Sequence, residues 1–254
     1  VKLWSPDAPN LYDMVVSLTE NGKVVDQVKS YVAMRKYTTR RDKNGVMRMQ
    51  LNGKDIFEFG PLDQGWWPDG LYTAPSYEAM VYDIKKTKEW GFNMIRKHIK
   101  VEPATWYNYC DKEGIIVWQD MPSGDYSKSQ PWKYNDAFYG GDKSNRSAES
   151  EGTYYKEWKD IIDNFRSYPC ISVWVPFNEA WGQFKTDEVV KWTQKYDPYH
   201  LVNPASGGNF SMEGDILDLH HYPEPKSFLF DARKVNAIGE FGGIGFPVEG
   251  HLWV

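Results

Sequence analysis

The sequence predicts an α/β chain: a (β/α)8 TIM barrel lacking its last strand, preceded by strands that belong to another sheet. Three observations predict it. From about residue 41, short apolar strands alternate with helical patterns, the signature of a parallel sheet. Strands such as Ile171-Ser172-Val173-Trp174-Val175 are almost continuously apolar, which means burial on both faces. Polar and acidic residues gather just after strand ends, at Asp63, Arg96, His98, Asp120, Asn178, Glu179, His221 and Glu240. That is the face on which a (β/α) barrel carries its active site. A doubly wound sheet shares the alternation, but no Gly-rich phosphate-binding turn follows the first strand. The length of 254 residues also suits a barrel, which takes ~250.

In chain order, Leu3-Trp4-Ser5-Pro6-Asp7-Ala8-Pro9-Asn10 is rich in turn formers. Residues 14–18, the turn Asn21-Gly22 and residues 24–31 read as a β-hairpin. A lone hairpin is marginal in water, so a larger sheet is expected around it. Residues 46–51, Asn52-Gly53 and residues 56–62 read as a second hairpin leading into a buried strand. Ser76 stands where it can cap a helix whose Tyr77, Met80, Val81 and Ile84 recur at helical spacing, and Gly91 ends it. Residues 92–96 form a strand. Pro103 opens a helix through Trp106, Tyr107 and Cys110 that Gly114 closes. Residues 115–119 are a strand, followed by a polar stretch from 120 to about 150. Tyr154, Tyr155, Trp158, Ile161, Ile162 and Phe165 mark the cleanest helical period in the chain. A strand at 171–177, a helix at 186–195 and strands at 201–203, 216–220 and 236–239 complete the pattern. Seven barrel strands are expected, with the eighth beyond Val254. The chain opens on Val1 and stops on the apolar run His251-Leu252-Trp253-Val254, so a fragment of a longer protein is expected. Any signal peptide would then lie upstream, so the sequence leaves the compartment open, with a periplasmic or extracellular place slightly favoured.

Composition narrows the function classes. There are 30 basic and 35 acidic side chains, a formal charge of -5. Mild acidity argues against nucleic acid, which requires clustered Lys and Arg. No run approaches the ~18 consecutive apolar residues of a membrane span, so no membrane-embedded body is expected. Cys110 and Cys170 are too few for a disulfide framework and are expected as small buried hydrophobes. Aromatics reach 16%, enough for a large core and for a pocket that stacks on flat, partly apolar faces such as sugar rings.

The sharpest chemical feature is Val175-Pro176-Phe177-Asn178-Glu179-Ala180-Trp181-Gly182. A carboxylate and an amide follow an apolar strand directly, beside Trp181. Burial beside an aromatic ring favours the neutral form of a carboxyl, which a general acid requires. The second feature is Ala237-Ile238-Gly239-Glu240-Phe241-Gly242-Gly243, another strand ending in a Glu. A barrel can bring the two carboxylates face to face across its mouth, and such a pair is the equipment for cleaving a glycosidic bond. Arg96, at a third strand end, can hold Glu240 ionised. His220-His221 invites a metal reading, but the five His residues include no His-x-His after the first strand, so no metal and no cofactor is expected. On this reading His221 lines the sugar site and His220 packs or hydrogen-bonds. The stretch 120–150 carries Tyr126, Trp132, Tyr134, Phe138 and Tyr139, an expected stacking wall for substrate.

These residues resemble glycoside hydrolase family 2, the group of β-galactosidases, β-glucuronidases and β-mannosidases. Residues 3–12 are similar to the end of its immunoglobulin-like β-sandwich domain, and Leu51-Asn52-Gly53-Lys54 to its entry into the barrel. The resemblance implies that 1–40 closes the β-sandwich domain and that 41–254 is a C-terminally incomplete catalytic barrel. Gly91-Phe92-Asn93-Met94-Ile95-Arg96-Lys97-His98 and Tyr109-Cys110-Asp111-Lys112-Glu113-Gly114-Ile115 resemble two further blocks of the family. Asn178-Glu179 resembles the acid/base motif and Gly239-Glu240-Phe241-Gly242 the nucleophile motif.

The resemblance implies a retaining exo-β-glycosidase, of β-galactosidase type first, acting on an oligosaccharide or glycoside. Glu179 would be the acid/base and Glu240 the nucleophile. Asn178 would bind the sugar 2-hydroxyl, and Arg96 and Tyr222 would hold Glu240. Asp63, His98, Asp120, Trp181 and His221 are the further substrate-binding candidates. The chain departs from the family's pattern at three places. Leu62-Asp63-Gln64-Gly65-Trp66-Trp67 replaces the usual Asn-Arg-His stretch, and Lys97-His98-Ile99-Lys100 replaces the Ser-His-x-Pro block. Trp118-Gln119-Asp120 is closer to the β-mannosidase pattern, so a magnesium site does not carry over. A carbohydrate-binding domain without catalysis, or β-mannosidase or β-glucuronidase specificity, is the alternative.

Overall fold

A short pairing of β1 (Trp4–Ser5) with β2 (Ala8–Pro9) opens the chain. The long antiparallel hairpin of β3 (Tyr12–Glu20) and β4 (Lys23–Val32) follows, turning at Asn21-Gly22. The computed structural model describes residues 1–128, 130–131, 145–243, 245 and 247–250. β5 (Tyr37–Arg41), β6 (Met47–Leu51) and β7 (Lys54–Asp55) form a three-stranded antiparallel sheet. The β6–β7 turn has Asn52 and Gly53 at φ 56° and 77°, the left-handed pair that tight hairpins require.

The alternating part follows. It comprises β8 (Leu62–Asp63), α1 (Tyr77–Glu89), β9 (Met94–Lys97), α2 (Ala104–Glu113), β10 (Ile116–Asp120), α3 (Ala148–Phe165), β11 (Ile171–Val175), α4 (Thr186–Tyr196), β12 (Leu201–Val202), β13 (Ile216–His220) and β14 (Val235–Glu240). The strands β12-β11-β10-β9-β8 form one parallel sheet in that order, and β13 pairs β14 in parallel. Asp215 N donating to Val202 O (2.8 Å) and Gly207 N to Asp218 O (3.0 Å) join the two groups. These are seven parallel strands among the described residues, and a helix follows each of β8 to β11, as the alternation predicts.

Two strands are shorter than the sequence suggests, for identifiable reasons. The strand expected at 56–62 is reduced to Leu62–Asp63. Asn93 intervenes: its side-chain amide accepts from Phe59 N and donates to Phe57 O, both at 2.8 Å, and takes the place of a neighbouring strand. The strand expected at 171–177 stops at Val175 because Pro176 has no N–H for the ladder.

The helices follow their apolar period. Ser76 Oγ accepts from Ala79 N at 3.1 Å and caps α1. Tyr154, Trp158 and Ile162 put one face of α3 into the core. Buried indoles find acceptors: Trp158 Nε1 donates to Thr193 Oγ1 (2.9 Å) and Trp174 Nε1 to Asp197 Oδ2 (3.1 Å). Cys110 and Cys170 are both free and buried. Asp111 ties the opening strands to the barrel: it accepts from Tyr31 OH (2.6 Å) and Cys170 N (2.8 Å), and its carbonyl takes Trp4 Nε1 (2.8 Å). No helix among the described residues is long and apolar enough to cross a membrane.

The carboxyl of Glu58 accepts from Trp118 Nε1 and Ser172 Oγ, while its Oε1 is buried without a hydrogen-bond partner among the described residues. Burial pushes this carboxyl from 4.5 up to about 7, against the pull of its two donors. The unfolded chain releases this proton first, so stability is full below pH 4.5 and falls as pH rises toward 7. The fall amounts to about 3 kcal/mol. Glu58→Gln keeps the acceptor and removes the charge, and thermal melts of this variant should lose that decline between pH 4.5 and 7.

Candidate active site

The carboxyl ends of the parallel strands converge on Arg96. It lies on β9, is 2% exposed, and its guanidinium reaches three other strand ends. Nε and Nη2 hold the two Asp120 oxygens at 3.1 and 2.9 Å, a bidentate fork. Nη2 also donates to Asn178 Oδ1 (2.8 Å) and Nη1 to Glu240 Oε1 (3.0 Å). Burial opposes the Arg96 charge, but Asp120 and then Glu240 and Asp218 outweigh it and raise its pKa, so the cation is permanent.

Glu240 reaches this cation through an irregularity. Along the β13–β14 pair, Leu219 faces Ile238 but His220 faces Glu240, so Gly239 is an extra residue. Such a bulge re-aims the next side chain. A Cβ at Gly239 would lie 2.1 Å from Asp218 Oδ1, so only glycine fits there. Tyr222 OH donates to Glu240 Oε2 at 2.6 Å. Burial, then the Glu240 carboxylate, raises the phenol's pKa and keeps it a donor. His98 Nε2 is 3.8 Å from Glu240 Oε1. Burial, then Arg96 and His220, push His98 down to about 3, so its ring is neutral.

Glu179 arrives by a different device. After β11 the chain turns through Glu179 and Ala180 at φ 48° and 66°, a left-handed conformation that non-glycine residues adopt at a cost. The turn is held from both sides. Asn178 bridges Ser206 in parallel, and Glu179 N donates to Ser206 O at 2.8 Å. Phe177 stacks on Tyr154 with centroids 5.3 Å apart. Asn178 Oδ1 is taken by Arg96, while its Nδ2 is a buried donor with no partner among the described residues.

His220 stands between the two carboxylates. Its Nδ1 is 3.0 Å from Glu179 Oε1 and 3.5 Å from Glu240 Oε2. One atom each of Glu179, His220 and Glu240 lie within 4.8 Å of one another. Three such atoms can span a divalent ion, although Arg96 already supplies positive charge at Glu240.

The structure therefore brings together Arg96, His98, Asp120, Asn178, Glu179, Tyr222 and Glu240. Asp63 stands apart: its carboxylate pairs with buried Lys97 (2.6 Å) and Gly65 N (2.8 Å), beside a cavity of about 510 Å³ against α1. His221 Nδ1 meets Glu224 O at 2.7 Å in its own loop, and His220 holds the central position between Glu179 and Glu240. Strand period two from buried Asp218 was the available signal, since it puts 218 and 220 on one face. Trp181 is 40% exposed and packs edge-on against Tyr126. Trp132, Tyr134, Phe138 and Tyr139 lie outside the described residues.

Arg96→Ala leaves Asp120 buried and unpaired and should cost about 3–5 kcal/mol of stability, read as a drop in Tm. Arg96→Lys keeps the charge but not the fork, and kcat/KM should fall at least ~100-fold while the protein stays folded.

The family description "Glycosyl hydrolases family 2" matches residues 1–35, and "Glycosyl hydrolases family 2, TIM barrel domain" matches residues 48–225. A putative β-glucuronidase of Formosa agariphila is 26% identical over 230 residues, covering 90% of this chain and 20% of that protein. A β-galactosidase of Psychromonas ingrahamii is 28% identical over 223 residues, covering 84% of this chain and 19% of that protein. The chain thus spans about a fifth of the curated relatives it matches. Among solved structures, an FMN-binding β-glucuronidase from Facaelibacterium prausnitzii L2-6 superposes with a TM-score of 0.71 at 22% identity, over 88% of this chain and 33% of that one. The barrel match alone spans more than half of the sequence and contains Arg96, Asp120 and Glu179: the chain belongs to glycosyl hydrolases family 2.

Proposed function

We propose that the protein is a retaining exo-β-glycosidase that hydrolyses terminal β-galactosides by double displacement. The observation that carries this reading is the carboxylate pair: an oxygen of Glu179 and one of Glu240 lie within 4.8 Å. Retaining enzymes hold their carboxyl groups ~5–5.5 Å apart, whereas inverting ones leave room for a water between them. The environments differ as the two roles require. Glu240 has a guanidinium on one oxygen and a phenol donor on the other, and the two aim its carboxyl group.

In the first step Glu240 attacks the anomeric carbon while Glu179 gives its proton to the leaving oxygen. A glycosyl ester on Glu240 and a free alcohol result. In the second step Glu179 takes a proton from water, whose oxygen attacks the anomeric carbon and releases Glu240. The unpartnered Asn178 Nδ2 is the donor for a sugar hydroxyl. Similarity to curated β-galactosidases supports the galactoside. A β-glucuronide is the second reading, supported by the β-glucuronidases among the similar structures.

The test uses the full-length protein with aryl β-galactosides, β-glucuronides and β-mannosides. Glu240→Gln should abolish turnover and the covalent adduct that a 2-deoxy-2-fluoro glycoside forms, as read by mass spectrometry. Glu179→Gln should lower kcat/KM on a phenyl glycoside by ~10²–10⁴-fold, the usual worth of a general acid, and far less on a dinitrophenyl glycoside. Turnover of unactivated substrates at wild-type rates by both variants would overturn the reading.

A further inference from the structure

A chain of buried hydrogen bonds leads away from the carboxylate pair. Asp218, on β13, is fully buried, and its Oδ2 accepts from Asn203 Nδ2 (2.7 Å) and Ser206 Oγ (2.6 Å). Ser206 Oγ is also 2.7 Å from His220 Nε2. A hydroxyl has one proton to give. Ser206 gives it to Asp218, so its oxygen accepts from His220, and the His220 proton sits on Nε2. Nδ1 is then a bare acceptor, and it points at Glu179 Oε1, 3.0 Å away.

We propose that His220 is a positioning residue that shares one proton with Glu179: its Nε2–H is locked onto Ser206 by Asp218, and its bare Nδ1 holds the acid's proton in place. The proposal rests on Glu179 being the acid/base. The pair has two arrangements of the same proton, Glu179 O–H facing bare Nδ1 and Glu179 carboxylate facing Nδ1–H. Loss of that proton would leave a carboxylate lone pair against a nitrogen lone pair, so the lock opposes the loss and keeps the acid loaded. The groups around His220 set the balance. Glu240, 3.5 Å from Nδ1, favours a proton on the ring, whereas Arg96, 3.5 Å from Nε2, opposes a second one. Neutral His98 and Asp218 behind Ser206 also stand near the ring.

The packing is specific for this ring. A Cβ on Gly207 would lie 2.2 Å from His220 Nδ1, and Gly207 has φ +82°, so the imidazole occupies space that only glycine leaves open. Sequence alone gives no sign of it, because Asn203, Ser206 and Asp218 meet only through the β12–β13 junction.

The test is the pH dependence of kcat/KM in the full-length protein, with a phenyl glycoside that needs the proton and a dinitrophenyl glycoside that does not. His220→Asn removes the ring, and Ser206→Ala removes the lock while keeping the ring, so a folding failure in one leaves the other. Both should move the alkaline limb on the phenyl substrate to lower pH. The dinitrophenyl profile should keep its alkaline limb. An unmoved limb with equal losses on both substrates would mean that His220 only supports the fold, and the proposal would be wrong. Glu179→Gln is the control: if it spares phenyl glycoside turnover, the acid/base reading itself has failed, whatever the His220 variants do.

Discussion

One buried cation organises the mouth of this barrel. The Arg96 guanidinium ties β9 to Asp120 on β10, to Asn178 beyond β11 and to Glu240 on β14. A buried charge costs several kcal/mol unless its partners are well placed, and a planar fork accepts partners only along fixed directions. The condition that lets Arg96 stay inside is thus the condition that fixes where Asp120, Asn178 and Glu240 stand. Strand register and site geometry are set by the same hydrogen bonds, and the cation that ties the strand ends together also aims the Glu240 side chain.

The two acidic side chains come to the site by backbone departures from ideal geometry rather than by regular strands. Glu179 needs two consecutive left-handed residues, neither of them glycine, and Glu240 needs a bulge at Gly239. Left-handed non-glycine residues cost about 1–3 kcal/mol each and persist only where the surroundings over-determine them. Here the surroundings are the Asn178–Ser206 bridge, buried Ala180 and the Phe177–Tyr154 stack. Irregularity of this kind concentrates at positions whose side chains must point where a regular element would not send them.

Much of this was legible in the sequence because it is local. β11 reads as apolar from Ile171 to Val175, and α3 repeats its aromatic and aliphatic residues at helical spacing. Arg96, Asp120, Asn178, Glu179 and Glu240 each close or follow such a strand, so their address in a barrel followed from the strand itself. What was illegible depends on partners far away in the chain. Asp63 also closes a strand, but the Lys97 ammonium claims it. His221 lies just past its strand, yet the side chain that enters the site is the last residue of the strand, His220. The segment at 56–61 has strand-like residues but takes its backbone bonds from the side chain of Asn93.

The extra residue at Gly239 makes β14 sensitive to chain length as well as to side-chain chemistry. With side chains alternating between faces, regular pairing at the present length would set Gly239 opposite His220 and turn the acidic group toward the helical layer. The irregular pairing, and not the alternation of the strand, therefore decides which face carries the carboxyl group. Length here is a determinant of the site alongside identity, because one residue inserted before Glu240 would put the acid out of phase with His220.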